Sequence, residues 1–161
     1  METKLEIRKE HEWLQQLVGE WVITGEWQAA PGQPPQQWQS TETVRPIGRA
    51  WIQSEGRSTM PDGDPHLSCM TLGFNGRTQR FVGSWIGSMM DHQWVYEGEL
   101  DAAGRVLTLN CEGPSFTGEG LAKYQDIIEI KGPDERLLHS QFQGADGQWT
   151  RFMTSTYRRK R

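Results

Sequence analysis

Four histidines, His11, His66, His92 and His139, are the side chains best suited to metal ligation or proton transfer, and they are scattered over a helix, a loop and two strand-like runs. No two of them have ligand spacing, and no cysteine pair lies beside any of them, so a structural or catalytic metal site is not expected. The Asp62-Gly63-Asp64-Pro65-His66 segment carries oxygen and nitrogen donors, but Asp-Gly-Asp flanked by prolines is ordinary turn chemistry. Ser84 and Ser88 precede Asp91-His92, a set of residue types that could make a hydrolytic group. There is no Gly-x-Ser-x-Gly elbow to present either serine as a nucleophile. Glu97, Glu112 and Asp126 are candidate general bases if they point inward, with Arg45, Arg49 and Arg151 as candidate cations. Of these groups, Glu112 and His92 are the catalytic candidates, and no recognised constellation supports either.

Rings and thioethers make a stronger set. Trp27, Trp51, Met70, Trp85, Met89, Trp94, Tyr96 and Phe152 all fall on or beside strand-like runs. A few polar groups in an apolar, aromatic lining are the usual make-up of a small-molecule site, and methionines adapt to several ligand shapes. The expected partner is a small hydrophobic or aromatic molecule. The alternative is a small isomerase- or hydrolase-type enzyme acting on such a molecule.

The chain has 161 residues and a net charge of −4, with 17 Lys and Arg against 21 Asp and Glu. Its basic run is confined to Arg158-Arg159-Lys160-Arg161, which makes nucleic acid an unexpected partner. No apolar run reaches the ~18 residues of a membrane span, and the charged first ten residues do not form a signal-peptide core. A cytoplasmic protein is expected. In that reducing compartment Cys69 and Cys111 read as small buried hydrophobes. Self-association into a homodimer is left open by the sequence.

The elements that position these residues are read from periodicity. His11, Leu14, Leu17 and Val18 share one face at helical spacing, so residues 4–18 are predicted to form a helix, ended by Gly19 in a left-handed conformation. Trp21, Ile23, Gly25 and Trp27 then alternate with Val22, Thr24 and Glu26, which marks a first strand. Residues 29–37, rich in Pro, Gly and Gln, make a connection expected at a barrel mouth. Nine further strand-like runs follow, at about 38–46, 49–58, 67–74, 79–88, 92–100, 105–112, 123–131, 136–143 and 148–158. Tight turns such as Asn75-Gly76 and Gly132-Pro133-Asp134 separate several of them and make neighbours antiparallel. Ten such strands must close or stack, and their order favours an up-and-down β-barrel spanning residues 1–161 as one domain. A barrel of ten strands is wider than the eight-stranded size, so an interior cavity is expected.

Gly19-Glu20-Trp21 after a short helix, with Tyr157-Arg158-Arg159 on the last strand, resembles the calycin group of lipocalins, fatty-acid-binding proteins and nitrobindins. That resemblance implies Trp21 as a plug of the barrel floor and Arg158 or Arg159 across its ring. The whole chain more closely resembles the bacterial DUF1579 proteins, a family of unknown function. The matching stretches include Leu17-Val18-Gly19-Glu20-Trp21, Phe81-Val82-Gly83-Ser84-Trp85-Ile86-Gly87-Ser88-Met89 and Glu112-Gly113-Pro114. In nitrobindins a last-strand histidine ligates haem iron. Placing Arg158 on Trp21 would turn residues 152, 154 and 156 inward and Met153 outward, with Phe152 at the histidine position, so haem is disfavoured and no cofactor is expected.

Overall fold

The computed structural model describes residues 4–28, 32–59 and 63–161. A short helix, α1 (Lys9–Gln15), is followed by ten strands: β1 (Gly19–Trp27), β2 (Gln36–Ile47), β3 (Trp51–Thr59), β4 (Pro65–Asn75), β5 (Arg80–Gly87), β6 (Trp94–Leu100), β7 (Val106–Pro114), β8 (Leu121–Gly132), β9 (Glu135–Gln143) and β10 (Trp149–Arg159). Every strand pairs antiparallel with its neighbour in sequence, and β10 returns to β1, closing the barrel through pairs such as Trp21 with Arg159 and Ile23 with Tyr157. Closure leaves no strand edge unpaired. The up-and-down order read from the turns is the observed one.

The helix is shorter than its periodicity suggests. Residues 4–8 are not helical, and Arg8 stands at the N-cap with its backbone N–H donated to His11 Nδ1 at 2.9 Å. After Gln15 the chain tightens through Leu17 N–H to Leu14 O and Val18 N–H to Gln15 O, the three-residue bonds that commonly close a helix. Gly19 therefore opens β1 instead of capping α1. Its φ of +141°, a conformation that strains any residue with a Cβ, is what requires glycine, and the space beside it is taken by the Arg159 guanidinium.

One end of the barrel, the floor, is closed by α1, which packs on β3 and β4. Leu14 and Leu17 are buried there, His11 Nε2 donates to Phe74 O at 2.8 Å, and Trp13 Nε1 donates to Gly104 O at 2.7 Å. With Nδ1 accepting from Arg8 and Nε2 donating to Phe74, His11 is fully occupied as a structural clamp. Above it Phe74, Phe81, Leu72, Leu107 and Leu109 fill the lower half of the barrel. The void lined by Leu17, Glu42, Val44, Met70, Leu72 and Arg136 is only about 10 Å³, space for about one water. In this lower half large side chains occupy the volume that the strand number offers as a cavity, whereas the inward Met70, Trp85, Trp94 and Asp126 above it are only half-buried. A larger groove, about 610 Å³, lies on the polar outer wall against Thr24, Glu26, Gln37, Gln39, Thr154 and Thr156.

Tryptophans lie against glycines on neighbouring strands. A Cβ at Gly25, Gly73 or Gly113 would come within 2.4, 2.4 and 2.2 Å of the rings of Trp38, Trp51 and Trp94. Missing side chains thus become seats for indoles, which restore the apolar contact that glycine lacks.

Candidate functional site

The mouth, opposite α1, carries the aromatic residues. Trp94 and Tyr124 meet edge to face at 4.9 Å, and Phe116 meets Phe142 at 5.1 Å and Phe152 at 5.0 Å. Such contacts contribute about 0.5–1.5 kcal/mol each beyond area burial. Phe116 comes from the loop between β7 and β8, is 51% exposed, and lies over the other rings from above. Its loop turns through Gly118 and Gly120 at positive φ and is held by Ser115 N–H to Gly120 O and Gly118 N–H to Ser115 O. Tyr124 donates its hydroxyl to Pro114 O, and Trp94 Nε1 donates to Met90 Sδ at 3.1 Å. The rings are thus fixed at their polar ends and partly open at their faces.

Trp27, Met70, Trp85, Trp94 and Tyr96 occupy inward strand positions, with Tyr96 buried and the others half-buried. Met89 lies at the rim, its sulfur beside the inner face of Gly87 and near Trp85. Trp51 is a correction: it alternates with the buried Ile52, is 43% exposed, and covers Gly73 on the outer wall. Trp38, Phe116, Tyr124, Phe142 and Met153 belong with the mouth or its walls and were not among the sequence candidates. Tyr124 and Phe142 share the inward face of β8 and β9 with Asp126 and Ser140 at period-two spacing, a signal present in the sequence; Phe116 sits in a loop, where no periodicity exists.

The last strand corrects the register. Arg159, not Arg158, lies beside Trp21, with its guanidinium carbon 4.3 Å from the ring centroid, while Arg158 is exposed and pairs with Glu135. Met153, Ser155 and Tyr157 therefore face inward, and Met153 is not turned away as expected. A bulge between Arg151 and Met153 turns Phe152 in as well, against Phe142 and Tyr124. Arg159 also donates to the carbonyls of Val18 at 2.6 Å, Gln16 at 2.9 Å and Pro133 at 3.1 Å.

Most of the titratable candidates lie outside the barrel. Glu97 and Glu112 alternate outward and are exposed; Arg45 pairs with Glu55 in solvent, and Arg49 and Arg151 are exposed. Strand alternation places their side chains away from the interior. His92 sits at the rim, its ring 4.6 Å from Trp94 and its Nε2 bonded to the backbone oxygen of Glu112 at 2.8 Å, so the two catalytic candidates meet only through a main-chain carbonyl. His139 is on the outer side of β9 between Thr154 and Glu129; burial pulls its pKa down, against the raising effect of Glu129. Among the described residues no cluster of three or more His, Cys, Asp or Glu could hold a metal ion. Asp62 of the turn candidate lies outside the described residues. Both cysteines are free, Cys111 inward and Cys69 on the outer wall, and burial, with a smaller contribution from Asp126, pushes the Cys111 thiol up to about 12.

Two polar clusters do occupy the interior. At the floor, Arg136 lies over both Trp21 and Tyr157 at 4.7 and 4.0 Å and pairs with Glu42 at 3.7 Å. Higher up, Asp126 accepts from Ser140 at 2.6 Å on one oxygen and from the Tyr96 hydroxyl on the other. Burial raises the Asp126 pKa while both hydroxyls oppose the rise, and burial with the Asp126 charge lifts Tyr96 well above its ordinary value. The Arg136 guanidinium was not foreseen; the sequence placed the interior cation on Arg45, Arg49 or Arg151.

The family model described as a protein of unknown function, DUF1579, matches residues 6–159. The chain belongs to the DUF1579 family. No curated protein sequence matches it. Among solved structures the family fold is shared with Rv2717c from M. tuberculosis, at 16% identity, TM-score 0.67 and coverage of 97% of this chain and 100% of that one. The S-type phycobiliprotein lyase CPES from Guillardia theta matches at 14% identity, TM-score 0.65, with 93% and 92% covered. A barrel named EF1p2_mFAP2b, solved bound to DFHBI, matches at 16% identity and TM-score 0.50, with 94% and 99% covered. These likenesses are of fold. Among the described residues no helix is long and apolar enough to cross a membrane.

Proposed function

We propose that this DUF1579 protein binds a small hydrophobic or aromatic molecule at the ring-lined mouth of its barrel. One observation carries the reading: at the end not closed by α1, Trp94, Tyr124, Phe142 and Phe152 form a connected cluster whose cover is a half-exposed phenylalanine. A flat apolar guest can replace the contacts of the Phe116 ring and gain the same edge-to-face geometry, while the fixed Tyr124 and Trp94 keep their polar ends satisfied. Binding in this barrel type has a parallel in the DFHBI-bound structure, which supports the reading at the level of fold.

No cofactor is part of the reading. Titration of the intrinsic tryptophan fluorescence against lipids, polycyclic aromatics and hemin tests it. Saturable quenching by at least one apolar compound is expected, with Phe116→Ala changing its affinity and hemin giving no stoichiometric Soret shift. Absence of any saturable response across the panel would overturn the reading.

A further inference from the structure

Among the described residues Asp126 is the one interior carboxylate above the packed floor layer, and its surroundings are unusual for a charge inside a barrel. The carboxylate accepts from two neutral hydroxyls, Ser140 at 2.6 Å and Tyr96, and among the described residues no Lys or Arg forms an ion pair with it. The interior guanidinium, Arg136, is already committed to Glu42, Trp21 and Tyr157 at the floor. Ser140 and Tyr96 are buried at 4% and 3% exposure, whereas Asp126, deep in the protein on an inward position of β8, keeps part of its surface accessible. On that inward face Asp126 follows Tyr124 by one step along β8, with Phe142 paired to Tyr124 on β9. A lone buried charge is costly, and two hydroxyl donors leave the negative charge uncompensated. Both hydroxyls donate, which is the arrangement that favours the ionised carboxylate.

On the mouth-binding reading above, we propose that the guest carries a cationic nitrogen, an amine or a protonated heterocycle, and that Asp126 holds it while the mouth rings take the apolar body. The ligand class is thus an aromatic or aliphatic cation. Tyr96 and Ser140 are positioning residues that aim the carboxylate oxygens, and the rings above exclude water, which strengthens the pair.

Three naphthalene probes of nearly equal shape test this on the intact protein by fluorescence or calorimetric titration: 1-naphthylmethylammonium, 1-methylnaphthalene and 1-naphthoate. The expected order is cation tightest, by roughly tenfold or more over the neutral probe, with the carboxylate weakest. Asp126→Asn should erase the cation's advantage while leaving 1-methylnaphthalene binding in place. Tyr96→Phe, which keeps the carboxylate, should reduce that advantage in part and serves if the asparagine variant fails to fold. Affinity for the cation should rise with pH through the Asp126 titration, below the probe's own pKa, and that of 1-methylnaphthalene should stay level. The other titratable or charged groups around Asp126 are Tyr96 on β6, Cys111 on β7 and Tyr157 on β10, with Glu42 and Arg136 at the floor; burial holds the first three protonated through neutral pH. If the neutral or anionic probe binds as well as the cation, the Asp126 assignment is overturned and the mouth site stands. If no probe binds, the mouth reading falls and the assignment with it.

Discussion

Replacing Trp21 with alanine removes the centre of the floor. The indole is 2% exposed, donates Nε1 to Leu17 O at 2.9 Å, and lies under the guanidinium groups of Arg159 and Arg136. Truncating a buried Trp to Ala costs about 3–5 kcal/mol from transfer and cavity formation. Two further losses follow: the Leu17 carbonyl loses its buried donor, worth about 1–3 kcal/mol, and each guanidinium loses a ring face worth about 0.5–2 kcal/mol. These effects share one site and do not add fully, so the expected loss is on the order of 5 kcal/mol. Urea unfolding followed by far-UV circular dichroism measures it: with a slope of about 2 kcal/mol per molar, the midpoint should fall by roughly 2.5 M. Trp21→Phe keeps a ring but not the N–H, and should cost about 1–3 kcal/mol. A loss below about 1 kcal/mol for the alanine variant would place Trp21 outside the core and refute the floor reasoning.

Gly83→Ala puts a Cβ 1.9 Å from the Thr71 carbonyl oxygen across the β4–β5 pair, a backbone clash expected to cost at least ~2 kcal/mol, whereas Gly132→Ala meets no atom within 4 Å and should stay within about 0.5 kcal/mol by the same urea assay. Asp126 has a folded pKa raised by burial above its ordinary 3.8, so the folded state binds more protons in that window and its contribution to stability falls as pH rises through it. Asp126→Asn should lack that decline, and a wild-type-minus-variant stability difference that instead grows with pH would contradict the burial assignment. Cys111, inward and with its thiol near 12, should resist alkylation at pH 8 in the native protein and react after denaturation, as read by peptide mass spectrometry.

Much of this fold was legible because period-two alternation and turn residues act locally. The inward set Trp21, Ile23, Gly25 and Trp27 reads directly from β1, and the barrel buries its first three members and half-buries Trp27. The register of β10 does not read directly, because two adjacent arginines can meet Trp21 and it is Arg159, not Arg158, that does, which moves the alternation by one; the bulge between Arg151 and Met153 then brings Phe152 inward as well. From Met153 onward every side chain is on the face opposite to the one inferred. Interior polar residues were harder. Arg136 occupies the floor because Trp21, Tyr157 and Glu42 surround it across the seam that joins the two ends of the chain, a grouping that no local pattern reveals. Trp51 misled for the reverse reason: it has the composition of a pocket residue, but Ile52 and Ser54 take the inward places on β3.

The seam between β1 and β10 governs when the molecule can come into being. Arg159 reaches the Val18 carbonyl across 141 residues of chain, and Trp21 finds its partner on the last strand. During synthesis the sheet can grow from β1 to β9 as successive hairpins, but both its borders stay unpaired until β10 has left the ribosome. Contacts this distant are slow to form, and a nascent sheet with open borders is exposed to wrong partners. Translation that stalls in the final turn would therefore leave a nearly complete barrel in its stickiest form, and rapid emergence of the Trp149–Arg159 segment is the step that protects it.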